Sequence, residues 1–300
     1  MKLINNLFID YVEAVKERVE DFPKELDEQY QVIKQGFEGE KQFASLLNEI
    51  EGLWWIYDLQ IKNYNQIQFD FLVITDDEII QFEIKNFTGD YYYDNQKLYR
   101  SSGYVAKDLI NQFEVAHDGL KRVIQKYKIN RKVKSYIVFI HPTFTLHGDL
   151  RSKVDILVNS ELYKLKEMVS NNFKYDHNKL IYDKLKSLHQ PFLTNNKHFQ
   201  KIQFDEINGG VRCTKCRKML QTELIYNKRK YLNCNHCGTV LMRSDIIIKS
   251  LKELYLLKDA PFSVKEAEEW TGVSNSAIKR ILYCNFERVG QGKATKYVTR

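Results

Sequence analysis

Residues 68–86, QFDFLVITDDEIIQFEIKN, constrain the fold most, because they set three ionisable side chains inside two strand-like apolar runs. Phe69, Phe71 and Val73 alternate with Asp70, Leu72 and Ile74. After a turn at 75–78, Ile80, Phe82 and Ile84 alternate with Gln81, Glu83 and Lys85. Period two on both sides of a short polar turn predicts an antiparallel hairpin. Glu83 and Lys85, two residues apart, then project from one face, and hairpin register brings Asp70 to the same edge. Two carboxylates beside an ammonium are metal-site chemistry. Carboxylates withdrawn from water repel one another unless a cation joins them, and a hard divalent ion such as Mg²⁺ takes oxygen ligands. The plain alternative is a solvated hairpin face, where Asp, Glu and Lys ordinarily sit.

Elements that can cover such a hairpin lie on both sides of it. Phe8, Val12, Val15 and Val19, then Leu26, Tyr30 and Ile33, recur at helical spacing on either side of Pro23, which predicts a helical N-terminal extension over 1–35. In GFEGEKQFASLLNEIEG, Gly36 and Gly39 punctuate the entry to a helix whose buried stripe is Phe43, Leu46, Leu47 and Ile50. Glu40 is expected in its first turn, on the face of Phe43 and Leu47, which directs its carboxylate toward the core side or its rim, with a favourable contact to the helix dipole as the plain alternative. WWIYDLQI (54–61) reads as a strand and TGDYYYDNQKLYR as a second hairpin turning near 94–96. Residues 107–129 read as an amphipathic helix with Gln112 beside its stripe, and SYIVFIHP (135–142) as a strand buried on both faces. Helix, strands, helix, strand in that order implies an α/β core with helices covering a mixed sheet.

Gly36-Phe-Glu-Gly39-Glu40, then Gln68-Phe-Asp70, then Glu83-Ile-Lys85-Asn86, then Gln112 in the following helix resembles the nuclease-related domain family, NERD, of the PD-(D/E)xK restriction-endonuclease-like superfamily. Phe69 stands where that superfamily usually has Pro. The resemblance covers roughly residues 36–150 and implies a restriction-endonuclease-like mixed sheet flanked by helices, within a nuclease domain expected over 36–190. It implies that Asp70 and Glu83 ligate Mg²⁺ (or Mn²⁺), that Lys85 orients or activates the attacking water, and that Glu40, as a further ligand, and Gln112 complete the site.

The last ninety residues differ in charge. Residues 1–210 hold 28 Lys plus Arg against 31 Asp plus Glu, whereas 211–300 hold 18 against 8, so the whole +7 excess lies in the tail. A positive field concentrated in one module points to a polyanion, most often nucleic acid. A polar stretch with one short strand, taken as a linker over 191–210, precedes two Cys-x-x-Cys knuckles, Cys213/Cys216 and Cys234/Cys237, 17 residues apart. That spacing predicts a structural Zn²⁺ ribbon over 211–243, similar to DNA-binding zinc ribbons, with His236 a lesser candidate ligand and Cys284 a small buried apolar residue. Residues 244–300 resemble a winged helix-turn-helix domain whose second helix, from Asn275, would enter the major groove.

Together these readings give a Mg²⁺-dependent nuclease hydrolysing phosphodiester bonds, with DNA preferred to RNA. Candidate phosphate-contacting residues are Arg217, Lys218, Lys228, Arg229, Lys230, Asn275, Lys279, Arg280, Lys293 and Lys296. The rival reading is a non-catalytic DNA-binding regulator built on a nuclease-like scaffold, or a winged helix used for protein contacts. No apolar run is long enough to span a bilayer and the opening residues lack a signal-peptide pattern, which reads as a cytoplasmic chain without a membrane partner.

Overall fold

The computed structural model describes residues 5–62, 66–103, 105–106, 109–171, 173–190, 199–226 and 229–300, with the side chains of Val105 and Lys293 left aside. Lys228 and the first part of the expected linker, 191–198, lie outside them. The chain divides into two compact units, one of Met1–Asn5 with Gln31–Asn195 and one of Asn6–Tyr30 with Asn196–Arg300. The N-terminal segment therefore groups with the basic tail.

In chain order, α1 (Leu7–Val15) and α2 (Lys24–Asn48) precede β1 (Trp54–Lys62), β2 (Gln66–Ile74) and β3 (Glu78–Lys85). Next come β4 (Asp90–Asp94), β5 (Lys97–Arg100), β6 (Val105–Ala106), α3 (Leu109–Lys126), β7 (Lys132–Phe139), β8 (Thr145–His147) and β9 (Ile156–Val158), and then α4 (Leu165–Met168) and α5 (Tyr175–Ser187). The main sheet of the first unit has the order β1-β2-β3-β7-β9. The first three strands are antiparallel meander neighbours, while β7 lies parallel to both β3 and β9. A parallel neighbour needs a crossover, which here contains α3. One face of this mixed sheet is covered by α2, through Phe43, Ala44 and Leu47 against Phe71, Val73, Ile80 and Phe82. The other is covered by α3 and α5, through Ala116, Leu120, Val123, Ile181 and Leu185. Both faces being dry accounts for the continuous apolar run of β7. A second sheet, β6-β5-β4-β8, packs Tyr91 and Leu98 with Leu109 and Phe113 of α3. Its β4–β5 turn holds Asn95 and Gln96 at φ 48° and 60°, the paired positive φ of a two-residue hairpin turn.

Two expectations are corrected here. The glycines at 36 and 39 do not open a helix, since α2 runs unbroken through both and Glu40 lies well inside it. Gly39 serves a close approach instead: a Cβ there would lie 2.8 Å from Asn86 Cβ and 3.0 Å from Ile140 Cγ2. The period-two pattern of β2 also slips at Asp70. Ile67 and Phe69 face α3 and α5, yet Phe71 and Val73 face α2. The ladder to β1 pairs Tyr57 with Phe71 and Leu59 with Phe69 but leaves Asp58 opposite Asp70 unpaired, with Asp58 in the left-handed region at φ 49°. This local dislocation of the ladder exchanges which side of the sheet the odd residues face.

In the second unit α6 (Thr222–Tyr226), β10 (Tyr231–Asn233) and β11 (Val240–Met242) surround the cysteine knuckles. After them come α7 (Arg243–Lys258), α8 (Val264–Thr271), α9 (Asn275–Asn285) and the antiparallel pair β12 (Phe286–Val289) and β13 (Lys296–Thr299). Ser263 and Glu266 form a capping box on α8, and Gly272, at φ 67°, closes it in the left-handed conformation that turns the chain into α9. Arg18, 1% exposed, follows α1 and is held by the carbonyls of Asn208 and Gly210 at 3.0 Å each and by Glu253 Oε2 at 2.8 Å, against the Trp270 ring. The short strand expected within 194–210 is not found among the described residues 199–210, which hold one turn of 3₁₀-helix at Phe204–Glu206. Backbone carbonyls there are committed to Arg18 rather than to a ladder.

Candidate functional site

The β2–β3 ladder ends at Phe71–Phe82. One step further, where Asp70 and Glu83 would face each other, the strands are joined by a side chain instead, as the Ile84 amide donates to Asp70 Oδ2 at 2.9 Å. Two residues on from Glu83, Lys85 donates to Glu83 Oε1 at 2.8 Å. Across from them on α2, Glu40 Oε2 accepts from the Tyr57 hydroxyl of β1 at 2.5 Å. Beside Tyr57, Asp58 Oδ1 accepts from both Gln60 and Gln68, at 2.9 and 2.8 Å.

Glu40, Asp70, Glu83 and Lys85 form one electrostatic group, all of them half-buried. Burial, and then the neighbouring Glu83 carboxylate, push the Asp70 carboxyl well above its usual range, with Lys85 opposing. Burial also raises Glu40, against the hydrogen bond from Tyr57. Burial works to lower Lys85, but Glu83 and Asp70 outweigh it and hold the ammonium more firmly charged than usual. Burial, and then the Glu40 carboxylate, push the half-buried Tyr57 hydroxyl well above the usual tyrosine range. Three carboxylates thus share one ammonium in a setting that disfavours uncompensated charge. The donor set is oxygen-only and negative in sum, which fits a hard divalent cation. Gln112 is exposed on α3 and makes no hydrogen bond to this group among the described residues.

Sequence reasoning found the four charged residues but missed Tyr57 and Asp58. Their one signal was a polar pair, YD, at the centre of the aromatic-rich strand WWIYDLQIK. Glu40 is not in a first helical turn, as the glycines had suggested. It sits mid-helix, beyond the reach of the helix-start dipole, so that account of it fails.

The cysteines form a second site. Among the described residues, Cys213, Cys216, Cys234 and Cys237 are the group of three or more candidate donors placed to share an ion, their ligand atoms all within 4.8 Å of one another; Glu40, Asp70 and Glu83 are not such a group. Cys213 and Cys237 Sγ are 3.8 Å apart, and Cys216 and Cys234 Sγ 3.7 Å. A tetrahedral ion with bonds of about 2.3 Å needs sulfur–sulfur edges of about 3.8 Å. The amides of Lys215 and His236 point at Cys213 and Cys234 Sγ, at 3.4 Å each. The four thiols can therefore hold zinc. His236 is not part of the set, since its Nε2 meets the Met219 carbonyl at 2.9 Å.

The candidate phosphate-contacting residues divide into two groups. Lys218, Arg229, Lys230, Asn275, Lys279, Arg280 and Lys296 are exposed, and Asn275, Lys279 and Arg280 share the outward face of α9 with Tyr283. Arg217 is turned inward, donating to the Glu13 carbonyl at 3.1 Å and lying 3.6 Å from its carboxylate. Lys228 and the Lys293 side chain fall outside the described residues. Cys284, expected to be buried, is exposed, because the apolar stripe of α9 is carried by Ile278, Ile281 and Leu282.

Among the described residues no helix is long and apolar enough to cross a membrane. No curated protein and no solved structure matches the chain. Residues 35–140, which carry Glu40, Asp70, Glu83, Lys85 and Gln112, match the family model described as nuclease-related domain, NERD, a match that spans roughly a third of the chain.

Proposed function

We propose that the protein is a divalent-metal-dependent nuclease that hydrolyses phosphodiester bonds in DNA, directed to its substrate by the basic second unit and working in the cytoplasm. The observation that carries this is the gathering of Glu40, Asp70 and Glu83 around the single ammonium of Lys85 at the point where the β2–β3 ladder stops. Asp70 and Glu83, with Glu40, would hold Mg²⁺ or Mn²⁺. Such an ion would supply positive charge beside the scissile phosphate and would acidify water in the site. Lys85, kept protonated by its carboxylate neighbours, would donate to the attacking water or to a non-bridging phosphate oxygen. Tyr57 fixes the direction of the Glu40 carboxylate. Gln112, on α3, is kept as the residue that would complete the site, as the resemblance implies, although it makes no hydrogen bond to the charged group among the described residues.

The second unit supports the substrate class. Its four cysteines are assigned a structural zinc, and α7–α9 with the β12–β13 hairpin are read as a winged helix whose α9 presents Asn275, Lys279 and Arg280 to the duplex. Zinc would hold the ribbon's shape and take no part in hydrolysis.

Purified protein is expected to cleave DNA with Mg²⁺ or Mn²⁺, and Glu83→Ala and Lys85→Ala are each expected to abolish cleavage while leaving DNA affinity nearly unchanged. Cleavage that survives both substitutions would overturn the reading. Metal-independent binding with no cleavage by the wild-type chain would favour the non-catalytic regulator.

A further inference from the structure

The second unit holds a basic concavity that the cleavage site does not use. A pocket of about 430 Å³ is lined by Arg229 and Lys230 ahead of β10, Arg243 at the start of α7 and Arg280 on α9. Among the described residues no acid lines it; the nearby Asp245 carboxylate instead accepts from the Ser244 hydroxyl at 3.2 Å. Arg243 is anchored, its Nε donating to the Ile225 carbonyl at 2.8 Å and its amide to the Lys230 carbonyl at 2.9 Å. That leaves its terminal N–H groups without a protein hydrogen bond among the described residues. Burial, and then the charge of Arg280, loosen the Arg243 proton relative to an ordinary arginine. Like charges brought together in a concave, half-buried place repel, and a bound anion removes that penalty.

Guanidinium groups present planar pairs of donors that match phosphate oxygens. An internal phosphodiester carries one negative charge and is normally met on an open surface. A phosphate monoester carries about 1.5–2 charges near neutral pH, which better suits four cations converging on a pocket. The volume lies in the range of small-molecule sites, about 300–1,000 Å³, so it exceeds a bare phosphate, and Ile248 and Ile281 supply an apolar wall for the attached nucleoside. We infer that this pocket binds the terminal phosphate monoester of a nucleotide, either at the end of a nucleic-acid strand or on a free nucleotide. Its choice of nucleotide over other phosphate esters rests on the nucleic-acid reading above. Arg243, absent from the residues expected from sequence, is its central contact.

The test uses the full zinc-loaded chain carrying Glu83→Ala, so that probes are not consumed. Fluorescence anisotropy is read with one labelled oligonucleotide bearing a 5′-phosphate, a 3′-phosphate or hydroxyls at both ends, and with nucleoside monophosphate and inorganic phosphate as competitors. Binding about tenfold tighter to a phosphorylated end is expected, the ratio falling toward one in Arg243→Gln and in Arg280→Gln. Displacement by nucleoside monophosphate without any preference for a phosphorylated end would assign the pocket to free nucleotides. Equal binding of all ends together with no displacement, or a ratio unchanged in both variants, overturns the inference. Cys284, exposed and lining the pocket, gives a readout that needs no substitution: saturating nucleoside monophosphate should slow its alkylation, and an unchanged rate counts against the site. Because only binding is read, absence of nuclease activity would leave this result standing, and failure here would leave the cleavage test untouched.

Discussion

Tyr57 shows how much of the candidate site is held by residues that carry no charge of their own. Its hydroxyl contact to Glu40 orients one carboxylate of a crowded set, so Tyr57→Phe is expected to slow metal-dependent cleavage about tenfold without changing DNA affinity. An unaltered rate would mean that Glu40 needs no such support. Away from the site, Glu161 offers a measurable pH dependence. Burial opposes its ionisation, but Arg151 at 2.9 Å, the Val158 amide at 3.1 Å and Lys164 at 3.1 Å bring its pKa down to about 2 from an ordinary 4.5. The folded carboxylate therefore stays ionised where the unfolded one takes up a proton. Its stabilisation is complete above 4.5 and lost as the pH falls toward 2. The stability difference between wild type and Glu161→Gln, followed by urea denaturation, should be constant near neutral pH and shrink steadily below about pH 4.5. A difference that grows on acidification would contradict the ion-pair account.

At the level of elements, α2 decides how closely Glu40 approaches the strand ends. Gly39 packs without room for a methyl group, whereas Gly36, on the same helix, has nothing within 4 Å of the position a Cβ would take. Gly39→Ala should therefore destabilise the first unit by about 1–3 kcal/mol and reduce cleavage by pushing α2 away from β3. Gly36→Ala should instead stabilise it by about 0.5–1 kcal/mol through helix propensity alone. Thermal unfolding of the pair separates these, since equal effects would mean that the close approach at Gly39 is unimportant. The two glycines look alike in sequence, and both read as punctuation there. The β2 dislocation is similar: FDFLV satisfies period two on paper, while the backbone shifts phase at Asp70 because Asp58 drops out of the ladder opposite it. Register between strands is a pairing property that one strand's pattern does not contain.

For the whole molecule, the two units are expected to lose function separately. Elemental analysis should find about one Zn²⁺ per chain, and Cys216→Ser should remove it and weaken DNA binding while leaving the fold of the first unit intact. If binding lies in the basic unit, affinity of the intact chain should fall steeply with salt, with a log–log slope of several units; a flat response would argue for a protein partner instead. Sequence alone determined the α/β class, four of the mixed sheet's five strand segments, with β9 at Ile156–Val158 the one it did not show, the charged residues Glu40, Asp70, Glu83 and Lys85 as a candidate set, and the four-cysteine cluster. Those follow from local periodicity and from residue types whose chemistry is distinctive at short spacing. Tertiary structure alone decided that Tyr57 and Asp58 join the quartet, that Arg217 is committed to Glu13, that Cys284 is exposed, and that Arg243 meets Arg280. Each of these depends on which residue distant in sequence lies opposite, and neither hydropathy nor spacing records that.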